Sequence, residues 1–284
     1  MPRSAWYTLG FAAAICLVCS ILVTSAAVSL EEKQEVNKLL DKQKNVLIAA
    51  GLADSEETIS AEEIHERFEA FEPVVVDLVE QEEDPAADFA TIDQQKMSKD
   101  PDTSFEAPKN PAQIPRVSNK AVIYKLKNED GGLKLLVLPV EGKGLWSTMY
   151  GFVAVSPDIS TIEGLTFYQH GETPGLGGEV DNPRWKNLWP GRKIFDDAGD
   201  VAITVIKGSA GPPEENPYEV DGLSGATITS RGVTYLLQFW LGDNGFGPYL
   251  EQYRSGQTDD ARNVADFLDP ARTSSNPDHG RRSA

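Results

Sequence analysis

The sequence predicts an α+β fold behind a single N-terminal transmembrane helix. Three observations carry that prediction. Trp6 to Leu30 is a run of 25 residues without a charged side chain. Between residues 121 and 206 the apolar residues fall in short, β-branched segments separated by Gly, Asn and Asp. A single strongly periodic helix, about Ser230 to Leu241, follows them.

The apolar run comes first. A bilayer core of about 30 Å needs about 20 such residues in a helix, so the segment can span. Trp6 and Tyr7 stand at its start, where amphipathic rings favour the interface. Arg3 before it and Glu31-Glu32 after it favour an N-terminus on the inner side. A cleaved signal peptide is the competing reading, with Phe11 to Val23 as its apolar stretch and Ser25-Ala26-Ala27 as the cleavage site. Cys16-Leu17-Val18-Cys19 has the form C-x-x-C. Redox and metal versions need a partner helix or further ligands, whereas two small apolar residues simply pack here.

Glu31 to Leu52 reads as an amphipathic helix continuing the span as a stalk, with Val36, Leu39, Leu40, Leu47 and Ala50 near one stripe. Ser60-x-x-Glu63 is a capping box opening a second helix, which Pro73 is expected to end. Val74 to Val79 then reads as a buried strand. Residues 80–115 are polar, acidic and rich in Pro and Asp, and predict a surface insertion or poorly ordered loop. Ala121 to Lys127 and Leu133 to Val140 predict a hairpin about Asp130-Gly131-Gly132. Gly151 to Val155, Gly164 to Gln169 and Val201 to Ile206 are further strands. In the last helix Val233, Leu236, Leu237 and Trp240 share a face, and Gly242 is the stop. Residues 1–30 thus form an anchor, 31–254 one domain, and 255–284 a disordered tail.

Composition excludes several functions. The chain of 284 residues has 26 Lys+Arg against 44 Asp+Glu, a net charge of -18, which repels phosphate backbones and argues against nucleic acid. The only cysteines lie in the apolar run and the three histidines are far apart, so the body has no Cys/His metal site.

Two glycine-bearing loops stand out. In His170 to Glu179 (HGETPGLGGE), Pro174-Gly175 sets a turn and Gly177-Gly178 permits close approach. It is not G-x-G-x-x-G, and no P-loop occurs anywhere. The loop can be a plain surface turn. In Asp221 to Gly232 (DGLSGATITSRG), hydroxyls cluster at Ser224, Thr227, Thr229 and Ser230 just before the helix. They can be a cap with a flexible lead-in, or they can mark a phosphate site at a helix N-terminus. A serine hydrolase has little support, since G-x-S-x-G and a triad are absent.

Ser224-Gly225-Ala226-Thr227, followed by ITSRGV and a helix, resembles the flavinylation motif of the FMN-binding domain family. The strings at 41–52, 144–155, 172–195 and 239–250 are similar to the C subunit of the sodium-translocating NADH:quinone reductases. The resemblance covers roughly residues 1–254. The 84–112 region is longer and more acidic than that family's pattern, and the tail is an extension.

The resemblance implies FMN joined to Thr227 as a phosphoester by a separate flavin transferase. Gly225 and Ala226 would keep that approach open, and Thr229 would cap the helix. Glu172 and Thr173 would offer hydrogen bonds to the flavin, while Leu176 and Gly177 lie against its ring. Lys207 could place a cation near it and favour an anionic one-electron-reduced state, or could be a solvated strand end. Trp146, Ser147 and Tyr150 could approach the site, with core packing as the plainer role of the aromatics. The implied function is a relay of single electrons from an iron–sulfur centre to a flavin on another subunit, in a complex that oxidises NADH, reduces ubiquinone and moves sodium ions. The implied place is the inner membrane, single-pass, with the flavin domain periplasmic. Its partners would be the other membrane subunits, the transferase and the bilayer. The G subunit of the Rnf electron-transport complex, which shares S-G-A-T and ETPG, is the alternative. A flavin-free membrane adaptor is the reading from another class.

Overall fold

The computed structural model describes residues 5–254. Helix α1 (Ala5–Ala49) runs unbroken for 45 residues, about 67 Å at 1.5 Å per residue. Its apolar N-terminal window is long enough to cross a membrane, and nothing in the fold covers it. Only the last turns dock on the domain, through Val46, Leu47 and Ala49, while Val36 and Leu39 on the expected stripe stay exposed. The span and the stalk are therefore one rod.

Helix α2 (Ala61–Phe68) starts where expected, with the Ser60 hydroxyl accepting the Glu63 N–H at 3.2 Å. It ends before Pro73, which lies inside strand β1 (Phe71–Asp77) opposite Tyr124. The missing N–H is tolerated because β2 (Glu82–Glu83) pairs only with Val76 and Asp77, leaving Pro73 on an open edge.

The segment expected to be a loose loop is instead built up. It holds a 3₁₀ turn (Phe89–Thr91), the short helix α3 (Gln94–Met97) and β3 (Ser104–Glu106), paired with β4 (Arg116–Ser118). Aspartates hold the turns: Asp84, Asp88, Asp93 and Asp100 each accept a backbone N–H two or three residues ahead. Ala112 and Ile114 then enter the core.

Four longer strands follow: β5 (Lys120–Lys127), β6 (Leu133–Lys143), β7 (Thr148–Val155) and β8 (Ile162–Gln169). They complete an antiparallel sheet of order β2-β1-β5-β6-β7-β8. Beyond the sheet lie the short helix α4 (Pro183–Lys186) and the parallel pair β9 (Thr204–Val205) and β10 (Glu219–Val220). Most of the Val201 to Ile206 strand is thus loop. Helix α5 (Thr227–Leu241) begins three residues before its apolar period does.

Side chains alternate across a strand, so β6 and β7 have two faces. Leu136, Leu138, Val140, Met149 and Val153 meet Val233, Leu236, Leu237 and Trp240 of α5. Leu135, Val137, Phe152 and Ala154 meet Val46, Leu47 and Ala49 of α1 and Ile64 of α2. Covering both faces explains why β6 reads as an almost continuous apolar run. It also places the N-terminus of α5 at the loop between β6 and β7. The expected tail, residues 255–284, lies outside the described residues.

Candidate functional site

The site forms where three segments meet: the β6–β7 loop, the loop after β8, and the first turn of α5. The helix opens without a side-chain cap. Ala226 stands at the N-cap position, and the first helical bond runs from the Ser230 N–H to its carbonyl at 3.0 Å. The earliest N–H groups of the helix are therefore unclaimed by any capping side chain.

The hydroxyls around this terminus have different fates. Ser230 is buried and accepts the Leu223 N–H at 3.0 Å. Thr229 is 0% exposed and does not cap the helix as its sequence position suggested; its hydroxyl donates to Glu172 Oε2 at 2.6 Å. Thr227 is exposed at the first helical position, and Ser224 is exposed in the loop before it. Gly225 between them has φ 71°, the left-handed turn that Gly adopts without cost, and an added Cβ would come 3.0 Å from Leu176 Cδ2.

Glu172 does not present a free carboxylate to a ligand. It is 5% exposed, and besides Thr229 it accepts the backbone N–H groups of Leu145 at 3.2 Å, Trp146 at 2.9 Å and Ser147 at 3.4 Å. Burial opposes its charge, but the Thr229 hydroxyl and these amides outweigh that and hold the carboxyl below the usual carboxylate range. The carboxylate is closely walled. A Cβ added at Gly144 would sit 2.5 Å from Oε1, and one at Gly177 would sit 2.7 Å from Oε2. Gly177 was expected against a flavin ring; its close neighbours here are Glu172 and Thr229.

Around this clasp four large apolar side chains remain in solvent. Leu145 is 43% exposed, Trp146 65%, Leu176 45% and Ile228 56%. Core packing, the plainer sequence reading, does not hold for Trp146. Tyr150 fits it better, half-buried beside Tyr168 at 6.4 Å between ring centres. Thr173 is exposed, and its carbonyl closes the turn by accepting the N–H groups of Leu176 and Gly178. Lys207 is exposed just past β9, on a stretch whose Gly208 carbonyl accepts the Gly222 N–H at 2.9 Å. It thus runs beside the Asp221 to Gly232 loop.

Several bonds of these loops were not anticipated, although Ser147, His170 and Asp221 themselves were named. The Ser147 hydroxyl accepts the Gly171 N–H at 2.6 Å, a second tie between the two loops. His170 Nδ1 accepts the Glu172 N–H at 3.1 Å, and Nε2 bonds Asp181 at 2.7 Å. That bond raises the His170 pKa against the effect of burial. An open groove of about 350 Å³ runs beside these residues, lined by Ser147, Thr148, Tyr150, Gln169, His170 and Gly171. Asp221 holds the next loop, accepting from Ser209 and from the Ala210 N–H. No hydropathy pattern points to these bonds, because they join polar groups, most of them more than ten residues apart.

Comparison with known proteins agrees with this geometry. A family model described as an FMN-binding domain matches residues 144–242, which contain all three segments. The C subunit of the Na(+)-translocating NADH-quinone reductase of Yersinia pestis is 46% identical over 250 residues, covering 85% of this chain and 90% of that protein. Its counterpart from Pseudomonas aeruginosa is also 46% identical, covering 88% of this chain and 96% of that one. The crystal structure of NqrC from Shewanella oneidensis superposes with a TM-score of 0.70 at 36% identity, covering 78% of this chain and 99% of that one. These relatives carry the quinone-reductase name, so the Rnf alternative gives way. At that identity over most of its length, the chain belongs to the NqrC family, the C subunits of the Na(+)-translocating NADH-quinone reductase, an oxidoreductase complex.

Proposed function

We propose that this protein bears FMN as a phosphoester on Thr227 and relays single electrons between an iron–sulfur centre and a flavin on another subunit. The observation that carries the reading is the exposed Thr227 hydroxyl at an α5 N-terminus that no side chain caps. An uncapped helix terminus offers N–H groups and the positive end of the helix dipole, which suit a phosphodiester anion. Thr229 is unsuited as the acceptor, since its hydroxyl is buried and donated to Glu172.

Bound FMN supplies the redox chemistry, and the protein supplies position and electrostatics. Leu145, Trp146, Leu176 and Ile228 form an apolar surface that would exclude water from one side of the ring system. Thr173 in the loop after β8, and the exposed Lys207 on the stretch paired with Gly222, would be the polar and cationic groups available to the flavin. Ser224, Gly225 and Ala226 leave Thr227 open to a flavin transferase, which supplies the activation, so no base beside it is required. Helix α1 is the inner-membrane anchor and would hold the domain on the periplasmic side, in contact with the other membrane subunits. The chain alone is not expected to turn over NADH or ubiquinone.

The test is in-gel flavin fluorescence after SDS denaturation, with the full chain co-expressed with a flavin transferase. Thr227→Val should abolish the signal, while Ser224→Ala should keep it. Fluorescence that survives Thr227→Val would sink the assignment, and a wild-type chain with none would restore the flavin-free adaptor.

A further inference from the structure

We infer that Glu172 is a positioning residue: through its four hydrogen bonds it fixes the β6–β7 loop and the first turn of α5 to the loop after β8, so that Thr227 and the apolar surface form one preset arrangement. This rests on the covalent-flavin reading of the same site.

Three successive backbone amides, those of Leu145, Trp146 and Ser147, converge on one carboxylate. Consecutive N–H groups turned to one side make a concavity for an anion, and here a side chain of the protein occupies it. A hydroxyl inside a helix ordinarily returns to a carbonyl four residues back. Thr229 instead reaches across 57 residues of sequence to Glu172. The Ser147–Gly171 bond ties the same two loops a second time, and His170 Nδ1, accepting the Glu172 N–H, braces the loop after β8 from within.

What the clasp holds distinguishes it from a buried structural ion. Leu145, Trp146, Leu176 and Ile228 all stand outside the two hydrophobic cores. The backbone bearing Leu145 and Trp146 has little side-chain burial of its own to order it, yet Glu172 binds its amides one by one. The buried charge therefore orders a surface. Gly144 and Gly177 serve the same end, because a side chain at either would collide with the carboxylate.

Two readouts in the full-length protein test this, one of them independent of flavin. Glu172→Gln keeps shape but replaces an acceptor oxygen with a donor group facing other donors. In a flavin-free Thr227→Val background, the 145–147 amides should exchange hydrogen for deuterium faster when Glu172→Gln is added, while the sheet stays protected. With Thr227 intact, Glu172→Gln should slow SDS-stable flavin incorporation at least about tenfold, as misplacing a reacting group by ~1 Å can cost ~100-fold. The flavin that does attach should show lower fluorescence anisotropy. Thr229→Ser should behave as wild type and Thr229→Val should shift in the direction of Glu172→Gln, which decides the matter if Glu172→Gln fails to fold. Unchanged exchange at 145–147, or incorporation at the wild-type rate, overturns the positioning role. A wild-type chain that takes no flavin refutes the covalent-flavin reading instead, and is recognised without any Glu172 variant.

Discussion

Glu141 should make the stability of this protein fall as pH rises through neutrality. It lies in β6 opposite Tyr150 of β7, is 8% exposed, and feels only the distant Lys99 as a compensating charge. Burial pushes its pKa up from 4.5 to about 7. The folded state therefore binds a proton that the unfolded state has released, across the window between those values. Stability is fully present below pH 4.5 and declines as pH rises toward 7. At about 1.4 kcal/mol per pH unit, the ionised side chain costs about 3 kcal/mol above the window. Glu141→Gln removes the proton and keeps the volume. The assay is urea unfolding of the detergent-solubilised full chain, wild type and variant, between pH 4.5 and 8.5. Taking the difference between the two cancels the other titrating groups. The midpoints should coincide at the acid end, and the variant should become the more stable by about 3 kcal/mol at the alkaline end. A difference that is flat with pH, or that favours the wild type as pH rises, refutes the reasoning.

Other predictions follow from the same geometry. Arg192 is 1% exposed and donates to the carbonyls of Leu188, Asn216 and Gly211 at 3.0, 2.7 and 2.6 Å. Arg192→Met should cost at least about 3 kcal/mol in thermal unfolding, because three carbonyls lose a shared donor; a loss under about 0.5 kcal/mol would contradict it. Trp146→Ala should leave the unfolding midpoint within about 0.5 kcal/mol, since the ring is mostly in solvent. The same variant should raise iodide quenching of the attached flavin, and unchanged quenching would remove Trp146 from the flavin surface. The intact mass of membrane-extracted protein should include Trp6 to Leu30, and a mature N-terminus at Val28 would refute a retained anchor.

The strands were legible because alternation along β5 and the apolar runs of β6 to β8 record which faces are covered. A helix long and apolar enough to span was legible from composition alone, but its retention was not, because a cleaved signal peptide has the same pattern. The order of residues 80–115 was not, because it comes from aspartate side chains bonding nearby amides, and such acidic residues read as disorder by composition. The start of α5 was missed because Thr227, Ile228 and Thr229 precede the apolar period, and a hydroxyl there reads as a cap. Glu172 was picked out by its motif, but its direction was not. Its partners lie 25 to 27 residues back and 57 ahead, and only the packing of α5 on the sheet brings them together. Thr227 was singled out by resemblance alone; the structure adds that it is exposed, whereas Thr229 and Ser230 are buried and engaged with Glu172 and Leu223.

On the proposed reading one hydroxyl, that of Thr227, carries the flavin. Peptide mass spectrometry of the full chain purified after co-expression with a flavin transferase tests it most directly. The FMN phosphoester mass is expected on the fragment containing Thr227, localised by fragmentation to that residue and absent from Ser224 and Thr229. The same mass on a fragment lacking Thr227, or an unmodified Thr227 in a preparation that fluoresces after denaturation, would contradict it.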